Sequence, residues 1–317
     1  MFNKIEINLN ENINNFIAND KPIEIFGCIA DIQYSNSENF TDSNTNITRY
    51  YRNSLNQIDD TIEKWQLYEN DHEIDMKFIL QLGDLIDGKS KTADGSLISM
   101  NRVLKHLNTS NTDILHIFGN HEFYNFQRSE LINLPLNTAK TLNQNLNANY
   151  YTYEISYNLK LICLDFYEYS VLGYDHENDK NNELYIKAKE YINSFKTHFT
   201  AFNGGLSDVQ FNWLALQLEE CRKNKSKVIL AGHIPINNKA ANYKYCAWNS
   251  KEILELLWKF NDVVCVYLAG HDHKGGYILE NNIHFITLPG IVELKPGSSS
   301  FLTFLVYKNK LIINFAN

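Results

Sequence analysis

Short apolar segments that end abruptly in polar clusters constrain the fold of this sequence more than any other feature. In the clearest case, residues 77–81 run through Leu82 and Gly83 into Asp84. A short apolar run bounded by glycine is typical of a strand that is buried on both faces. An aspartate at its end costs free energy to desolvate unless a cation or several donors hold it. Taken alone, Gly83-Asp84 is most simply interpreted as a turn.

The same arrangement recurs along the chain, which weakens the turn interpretation. Apolar residues 23–30, 114–118, 228–231 and 263–269 run into Asp31-Ile32-Gln33, Gly119-Asn120-His121-Glu122, Gly232-His233 and Gly270-His271-Asp272-His273, respectively. Asp31 and Gln33 are two residues apart, so their side chains point the same way in extended backbone. His271 and His273 have the same spacing. Each pair can therefore face one site.

The segments between these strands predict helices. Apolar residues recur at three- and four-residue steps over residues 48–69 and 96–108, and Ser207 with Gln210 forms a capping-box pattern before a further helix. Strands that alternate with helices are typical of α/β architecture. We predict a polar, Asn-rich surface lead-in over residues 1–22 and one domain over residues 23–317. The role of a long tyrosine-rich insert, residues 166–203, stays open.

Composition limits the class of protein. The chain has 317 residues, 44% of them hydrophobic, and a formal net charge of −8, which argues against a protein that binds nucleic acid or a membrane surface. The five cysteines show no paired spacing, as in proteins of a reducing compartment. We find neither a signal-peptide pattern nor an apolar run of about 20 residues. We expect a cytoplasmic monomer that acts on a small molecule.

Seven oxygen and nitrogen side chains follow the predicted strands: Asp31, Gln33, Asp84, Asn120, His233, His271 and His273. Because open α/β sheets place their sites at the carboxyl ends of the strands, we expect these side chains to lie together. Seven ligands exceed the need of one ion and fit two divalent ions with a bridging carboxylate. Carboxylate, amide and imidazole ligands without cysteine favour Mn²⁺, Fe or Zn²⁺.

The polar clusters resemble the five sequence blocks of the calcineurin-like metallophosphoesterases. Further segments resemble one branch, the manganese-dependent ADP-ribose/CDP-alcohol diphosphatases: residues 29–34, 50–52, 81–88, 119–126, 202–205, 247–249 and 270–277. Most metallophosphoesterases carry histidine where Gln33 stands, whereas glutamine is the usual residue in this branch. The resemblance covers roughly residues 23–297 and implies a four-layer αββα sandwich in a single domain.

The resemblance also implies a role for each ligand-type residue. Asp31, Gln33 and His273 would hold the first metal ion, Asn120, His233 and His271 the second, and Asp84 would bridge the two ions, with Mn²⁺ as the expected metal. A hydroxide held between the ions would attack the pyrophosphate bond of ADP-ribose or of CDP-alcohols such as CDP-choline. His121 is placed to donate a proton or to stabilise the leaving group. Asp87 is a candidate for orienting a ligand, although an exposed loop acid fits equally.

Substrate selection is less constrained by the sequence. Phe40, Cys246 and Trp248 resemble nucleoside-side elements of this branch, and a base can stack on Phe40. An aromatic side chain folded back on the surface fits Phe40 equally well. Two other functions stay open: a cyclic-nucleotide phosphodiesterase on the same dimetal centre, and a non-enzymatic scaffold. The first usually carries an aspartate-x-histidine block that is missing here, and scaffold relatives typically lose metal ligands.

Overall fold

The apolar segments of the sequence form strands in the computed structural model, which describes residues 4–9, 21–108, 112–175, 177–194 and 200–316. The strands are β1 (Lys4–Asn8), β2 (Glu24–Ile29), β3 (Phe40–Thr41), β4 (Thr48–Arg49), β5 (Met76–Gln81), β6 (Asp113–His116), β7 (Tyr151–Ser156), β8 (Leu159–Cys163), β9 (Lys227–Ala231), β10 (Val264–Ala269), β11 (Gly276–Glu280), β12 (Ile283–Thr287), β13 (Leu302–Val306) and β14 (Lys310–Phe315).

Helices connect these strands. They are α1 (Asn53–His72), α2 (Ser90–Ala93), α3 (Ser96–Leu107), α4 (Asn120–Asn125), α5 (Arg128–Leu131), α6 (Thr138–Thr141), α7 (Glu183–Ser194), α8 (Asp208–Asn224) and α9 (Ser250–Lys259), with 3-10 turns at Tyr243–Tyr245 and Ile291–Glu293. Ser207 accepts a hydrogen bond from the Gln210 backbone at the start of α8, as predicted. The reciprocal bond of a capping box is replaced, because Gln210 Oε1 accepts from the Asp165 backbone nitrogen. None of the helices in the described part of the chain has the length and apolarity needed to span a bilayer.

The strands form two six-stranded sheets. The first has the order β1-β14-β13-β2-β5-β6 and the second has the order β11-β12-β10-β9-β8-β7, while β3 and β4 form a separate hairpin. Strands β2, β5 and β6 are mutually parallel, as are β8, β9, β10 and β12. Each sheet therefore presents several carboxyl ends at the same edge.

The two sheets pack face to face between helical layers. Phe26 stacks on Phe78 of the same sheet with ring centroids 4.6 Å apart, and the Phe78 ring meets Tyr153 of the second sheet at 5.1 Å. Helix α1 covers the outer face of the first sheet, where a Cβ atom at Gly27 would lie 2.4 Å from the Trp65 ring. Helices α8 and α9 cover the outer face of the second sheet. The predicted αββα sandwich is confirmed.

The structure differs from the sequence predictions at several elements. Residues 4–8 of the predicted lead-in form β1, an edge strand that pairs antiparallel with β14. Ile5 on this strand is buried between the exposed side chains of Lys4 and Glu6. Most of the lead-in, residues 10–20, lies outside the described residues. Helix α1 begins at Asn53 rather than at residue 48, because Thr48 and Arg49 pair with β3. Helix α7 lies inside the insert, and β11 was not predicted.

Candidate metal centre

The seven ligand-type side chains predicted from the sequence converge at one edge of the sandwich. Asp31 and Gln33 follow β2, Asp84 follows β5, and Asn120 follows β6, whereas His233 and the His271/His273 pair follow β9 and β10 of the second sheet. All except His273 are buried, and His273 is partly buried. A cleft of about 910 Å³ opens above them. The centre therefore spans both sheets rather than the edge of one.

Four of these residues hold a left-handed backbone conformation. The φ angles of Asp31, Gln33, Asp84 and His271 are 51°, 41°, 58° and 69°, respectively. Such conformations cost of order 1–3 kcal/mol each in a non-glycine residue and persist only where surrounding contacts hold them. They bend the chain sharply just past each strand. The side chains thereby turn towards one another instead of continuing along the sheets.

A buried carboxylate holds the strained loop at Asp84. Glu122 accepts hydrogen bonds from the backbone nitrogens of Asp84 at 2.9 Å, Gly119 at 2.6 Å and Leu85 at 2.7 Å. Burial and the nearby Asp84 raise the pKa of Glu122 to about 7, while these three donors lower it. A Cβ atom at Gly119 would lie 2.2 Å from Asp84 Oδ1, so only glycine allows this approach. Glu122 belongs to the predicted cluster of residues 119–122, but its role was not predicted.

One group of ligand-type atoms surrounds His233, and its members all present lone pairs. His233 Nε2 lies 3.1 Å from His271 Nδ1, 3.3 Å from Asn120 Oδ1 and 3.5 Å from Asp84 Oδ2. The opposite ring nitrogen of His233 donates to the Leu82 carbonyl at 2.8 Å. The opposite nitrogen of His271 donates to Asn203 Oδ1 at 2.7 Å. Because burial lowers the pKa of both imidazoles, the two nitrogens that face each other carry no proton.

A second group surrounds Gln33. Its Nε2 lies 2.9 Å from both Asp84 Oδ2 and His273 Nε2, while its Oε1 is buried without a hydrogen-bond partner among the described residues. A half-turn of the amide would bring Oε1 beside the Asp84 carboxylate and, once His273 has lost its proton, beside the lone pair of His273 Nε2, an arrangement that a cation stabilises. His273 Nε2 also lies 3.4 Å from Asp31 Oδ1, and its Nδ1 lies 2.7 Å from Glu293 Oε1.

Together the two groups fit a pair of divalent cations. Ligand atoms of Asp84, His233 and His271 lie within 4.8 Å of one another, and so do those of Asp31, Asp84 and His273. Asp84 belongs to both groups, as a bridging carboxylate must. Burial and the neighbouring Asp31 raise the pKa of Asp84 well above its ordinary value, which is expected where two carboxylates converge without a neutralising charge.

His121 points into the same cleft without joining either group. The Gly88 backbone donates to His121 Nδ1 at 3.1 Å, so the neutral ring carries its proton on Nε2. Nε2 lies 3.9 Å from Asp84 Oδ2. Burial, and then the charge of Arg49, lower the pKa of His121 well below its ordinary value. His121 therefore offers the cleft a neutral N–H donor.

Arg49 connects the surroundings of His121 with those of His273. Its guanidinium lies 3.4 Å from Asp87 and 3.4 Å from Glu293, and Asp87 Oδ2 lies 3.4 Å from His121 Nδ1. Asp87 is buried, so it is not an exposed loop acid, and its role in orienting a ligand stays a prediction. Arg49, Glu293 and Asn203 were not predicted as site residues. Asn203 lies in the segment 202–205 that resembles the diphosphatase branch, but the resemblance gave it no role, and Arg49 and Glu293 lie outside the recognised segments.

The structure does not bring the three predicted nucleoside-side residues into the cleft. Phe40 is 47% exposed on β3 and lies under the Lys89 ammonium. Cys246 and Trp248 are buried, and Trp248 stacks against Tyr191 with ring centroids 5.5 Å apart. The aromatic side chains that line the cleft are Tyr124, Phe202 and Tyr245. The predicted loop therefore reaches the cleft through Tyr245, the neighbour of Cys246.

Comparison with known proteins places these features in a family. The model of the calcineurin-like phosphoesterase family matches residues 26–275. The manganese-dependent ADP-ribose/CDP-alcohol diphosphatase of Bos taurus is 35% identical over 308 residues, covering 91% of this chain and 90% of that protein. The protein of the same name from Arabidopsis thaliana is 31% identical and covers 92% and 93%, respectively. A dimetal phosphatase from Danio rerio superposes with a TM-score of 0.85 at 28% identity, covering 93% of this chain and 96% of that one.

Proposed function

Because this chain belongs to the calcineurin-like phosphoesterases, and within them to the branch of manganese-dependent ADP-ribose/CDP-alcohol diphosphatases, we propose that it hydrolyses the pyrophosphate bond of ADP-ribose, of CDP-alcohols such as CDP-choline, or of both. The observation that carries this proposal is the convergence of two groups of lone-pair side chains on one shared carboxylate, Asp84, at the floor of the cleft.

The proposed ligands follow from the two groups. Asp31, Gln33 and His273 would hold one divalent cation, Asn120, His233 and His271 would hold the other, and Asp84 would contact both. The mixture of carboxylate, amide and imidazole supports Mn²⁺ over Mg²⁺, which seldom uses nitrogen ligands. Bound there, the ions would supply Lewis acidity to the diphosphate and to the attacking water.

The proposed role of His121 is to stabilise the leaving group by hydrogen bonding. The second pKa of a phosphate monoester is about 6, so the departing phosphate needs no full proton at neutral pH. The neutral Nε2–H of His121 can donate to the bridging oxygen as its bond to phosphorus breaks. The Gly88 backbone holds the ring in this orientation by donating to Nδ1.

The aromatic rings of the cleft support stacking of a base. Tyr124, Phe202 and Tyr245 line the cleft, and base stacking on aromatic rings accepts more than one base. Contacts from Phe40, Cys246 and Trp248 stay predictions, which alanine variants assayed on adenine and cytosine substrates would test. We also propose that the protein is a cytoplasmic monomer. Its five free, buried cysteines support a reducing compartment, and size-exclusion chromatography with light scattering tests the monomer.

The experiment is a substrate panel assayed with each metal. The purified protein is stripped with a chelator, reloaded with Mn²⁺ or Mg²⁺, and incubated with ADP-ribose, CDP-choline and a cyclic nucleotide. We expect AMP or CMP as product and a much higher rate with Mn²⁺. Equal rates with Mg²⁺ would contradict the metal assignment. Hydrolysis of the cyclic nucleotide alone would instead indicate that the protein is a phosphodiesterase.

A further inference from the structure

Asn203 lies at the junction between a predicted metal ligand and a loop that faces the substrate. The residue is buried, with 1% of its surface exposed. Its Oδ1 accepts from His271 Nε2 at 2.7 Å, and its Nδ2 donates to the carbonyl oxygens of Lys244 at 2.9 Å and Cys246 at 3.0 Å. Both N–H groups of the amide therefore hydrogen-bond to one loop, and its oxygen hydrogen-bonds to the imidazole of His271.

The two carbonyl groups determine which way the amide points. Carbonyl oxygens only accept, so the NH₂ of Asn203 must face Lys244 and Cys246, and its oxygen must face His271. The proton of the His271 ring is then held on Nε2, and Nδ1 is left with its lone pair towards Asn120 and His233. The other two ligand imidazoles are oriented differently, His273 by the Glu293 carboxylate and His233 by the Leu82 carbonyl.

The loop held by Asn203 forms one wall of the cleft. Asn242, Lys244 and Tyr245 line the cleft from this loop, and Phe202 lines it from the residue before Asn203. The rings of Phe202 and Tyr245 lie 5.5 Å and 5.7 Å from the His271 ring, respectively. A change in the position of this wall therefore reaches His271 through the Asn203 amide as well as through these two ring contacts.

We propose that Asn203 is a positioning residue that couples the substrate-facing loop 242–246 to the metal ligand His271, an inference that rests on the proposed dimetal function. Asn203 fixes the ring nitrogen that His271 presents and holds the loop that closes the cleft. Removal of the amide should therefore weaken one metal site and weaken substrate binding in the same variant.

The chain offers a matched control for this proposal. Asn249 makes a neighbouring link just beyond the loop: its Oδ1 accepts from the Leu206 backbone nitrogen at 3.1 Å and its Nδ2 donates to the Leu206 carbonyl at 2.9 Å. No metal ligand contacts it among the hydrogen bonds of the described residues. Asn249→Ala therefore disturbs the loop junction without touching His271.

The test measures metal binding and kinetics in parallel. Manganese binding to the stripped protein is followed by isothermal titration calorimetry and by the signal of free Mn²⁺ in electron paramagnetic resonance. For Asn203→Ala we expect one Mn²⁺ to bind about 10- to 100-fold more weakly, the usual effect of losing a partner of a ligand imidazole. We also expect a raised KM at saturating Mn²⁺. Asn249→Ala should bind both ions as the parent does.

Asn203→Asp separates the contact with His271 from the contacts with loop 242–246. The carboxylate keeps an acceptor for His271 but cannot donate to Lys244 and Cys246, so metal affinity should recover while KM stays raised. If Asn203→Ala does not fold, as judged by circular dichroism of the stripped protein, this variant alone decides: a parent-like KM overturns the proposal. Parent-like metal affinity in a folded Asn203→Ala, or an equal loss in Asn249→Ala, also overturns it.

Failure of the proposed function gives a different result. If the parent protein binds no pair of Mn²⁺ ions, or hydrolyses none of the diphosphates, the proposed dimetal diphosphatase function is wrong. If the parent does both and the Asn203→Ala variant behaves like the parent, only the proposed coupling through Asn203 is wrong.

Discussion

The two halves of the metal centre share Asp84 but are built from different chemistry. The acidic half consists of Asp31, Gln33 and His273, and a second carboxylate, Glu293, stands behind its imidazole. The neutral half consists of Asn120, His233 and His271, whose imidazoles are held by a backbone carbonyl and by an amide. Formal negative charge is therefore concentrated on one side of a nearly symmetric arrangement.

This difference predicts unequal affinity for the two cations. An opposite charge within a few ångströms stabilises a cation far more than a neutral dipole does in a buried site. The acidic half should therefore bind its ion more tightly, and the neutral half should release its ion first when metal is scarce. Asp84, shared by both halves, should be needed by each.

The largest effect is expected at the shared carboxylate. Asp84→Asn keeps the shape of the side chain but removes the charge from both halves, so we expect both metal equivalents and nearly all activity to be lost. Metal analysis after gel filtration, beside the rate with ADP-ribose, checks this. Circular dichroism controls for folding. Retention of both ions together with turnover would show that the halves do not share this ligand.

His121 tests whether the chemistry depends on a group outside both halves. His121→Ala should keep both ions and lower kcat by about 10²–10⁴, the range for a positioned acid or donor. His121→Gln, which retains an N–H donor, should recover part of the loss. The loss should shrink for a substrate with a nitrophenolate leaving group. An equal loss of kcat on the diphosphate and on the nitrophenolate substrate would indicate that His121 helps to bind the phosphate or the metal ions, and does not act on the leaving group.

The pH profile of the parent tests the neutral form of His121 in the same assay. Its pKa lies well below the ordinary value, so the ring is neutral, and still a donor, from about pH 6.5 upward. Titration of His121 should therefore cause no change in kcat as the pH rises from 6.5 to 8.5. A group that must be protonated would instead make kcat fall as the pH rises. Such a fall, absent from His121→Ala, would assign proton transfer to His121.

The inequality of the halves is tested by one variant on each side. Asn120→Ala removes a predicted ligand of the neutral half, and we expect weaker binding of one ion, with activity partly restored at high Mn²⁺. Asp31→Asn should weaken the acidic half more, because it removes a charge and not only an oxygen. Titration of activity against Mn²⁺ compares the two variants. Equal shifts would show that charge does not distinguish the halves.

A smaller effect concerns the protons released when metal binds. Burial lowers the pKa of His273, but hydrogen bonds to Asp31 and Glu293 outweigh it and raise the pKa to about 10. At pH 7.5 the metal-free ring is therefore protonated, and binding at the acidic half must displace about one proton from it. His233 and His271 are already neutral, so the neutral half should release none from its imidazoles.

Calorimetry in buffers of different ionisation enthalpy measures these protons directly. Affinity of the acidic half should rise by up to about tenfold per pH unit between pH 6.5 and 10, and then level off once His273 has lost its proton. Affinity of the neutral half should change little above pH 7. Identical proton release in both steps would contradict the distinction.

Much of the fold was predictable from the sequence because its strands are nearly continuous apolar runs. The ends of β2, β5, β9 and β10 were predicted to within one or two residues, and their parallel pairing explains why the polar clusters meet. The helix pattern predicted the start of α3 and α8 correctly. The start of α1 was wrong by five residues, since pairing of Arg49 with Phe40 overrides local helical spacing.

The supporting residues of the site could not be predicted in the same way. Glu293, Asn203 and Arg49 contact the centre from segments distant in sequence, and a single acid, amide or guanidinium carries no periodic signal. Asn203 lies in the recognised segment 202–205, but nothing in that segment indicated its contact with His271. Burial of Trp248 was equally hidden, because it depends on packing against Tyr191 from the insert. These contacts are tertiary, and they appear only when the two sheets are brought together.

The left-handed backbone at four ligand positions limits how the metal preference of this protein can be redesigned. Asp31, Gln33, Asp84 and His271 occupy a region of conformational space that β-branched side chains avoid and that asparagine, aspartate, histidine and glycine tolerate. A library that retunes the centre should therefore be drawn from these few residue types. Histidine at position 33 is compatible with this backbone, whereas threonine or valine at any of the four positions would add strain before metal binding was tested.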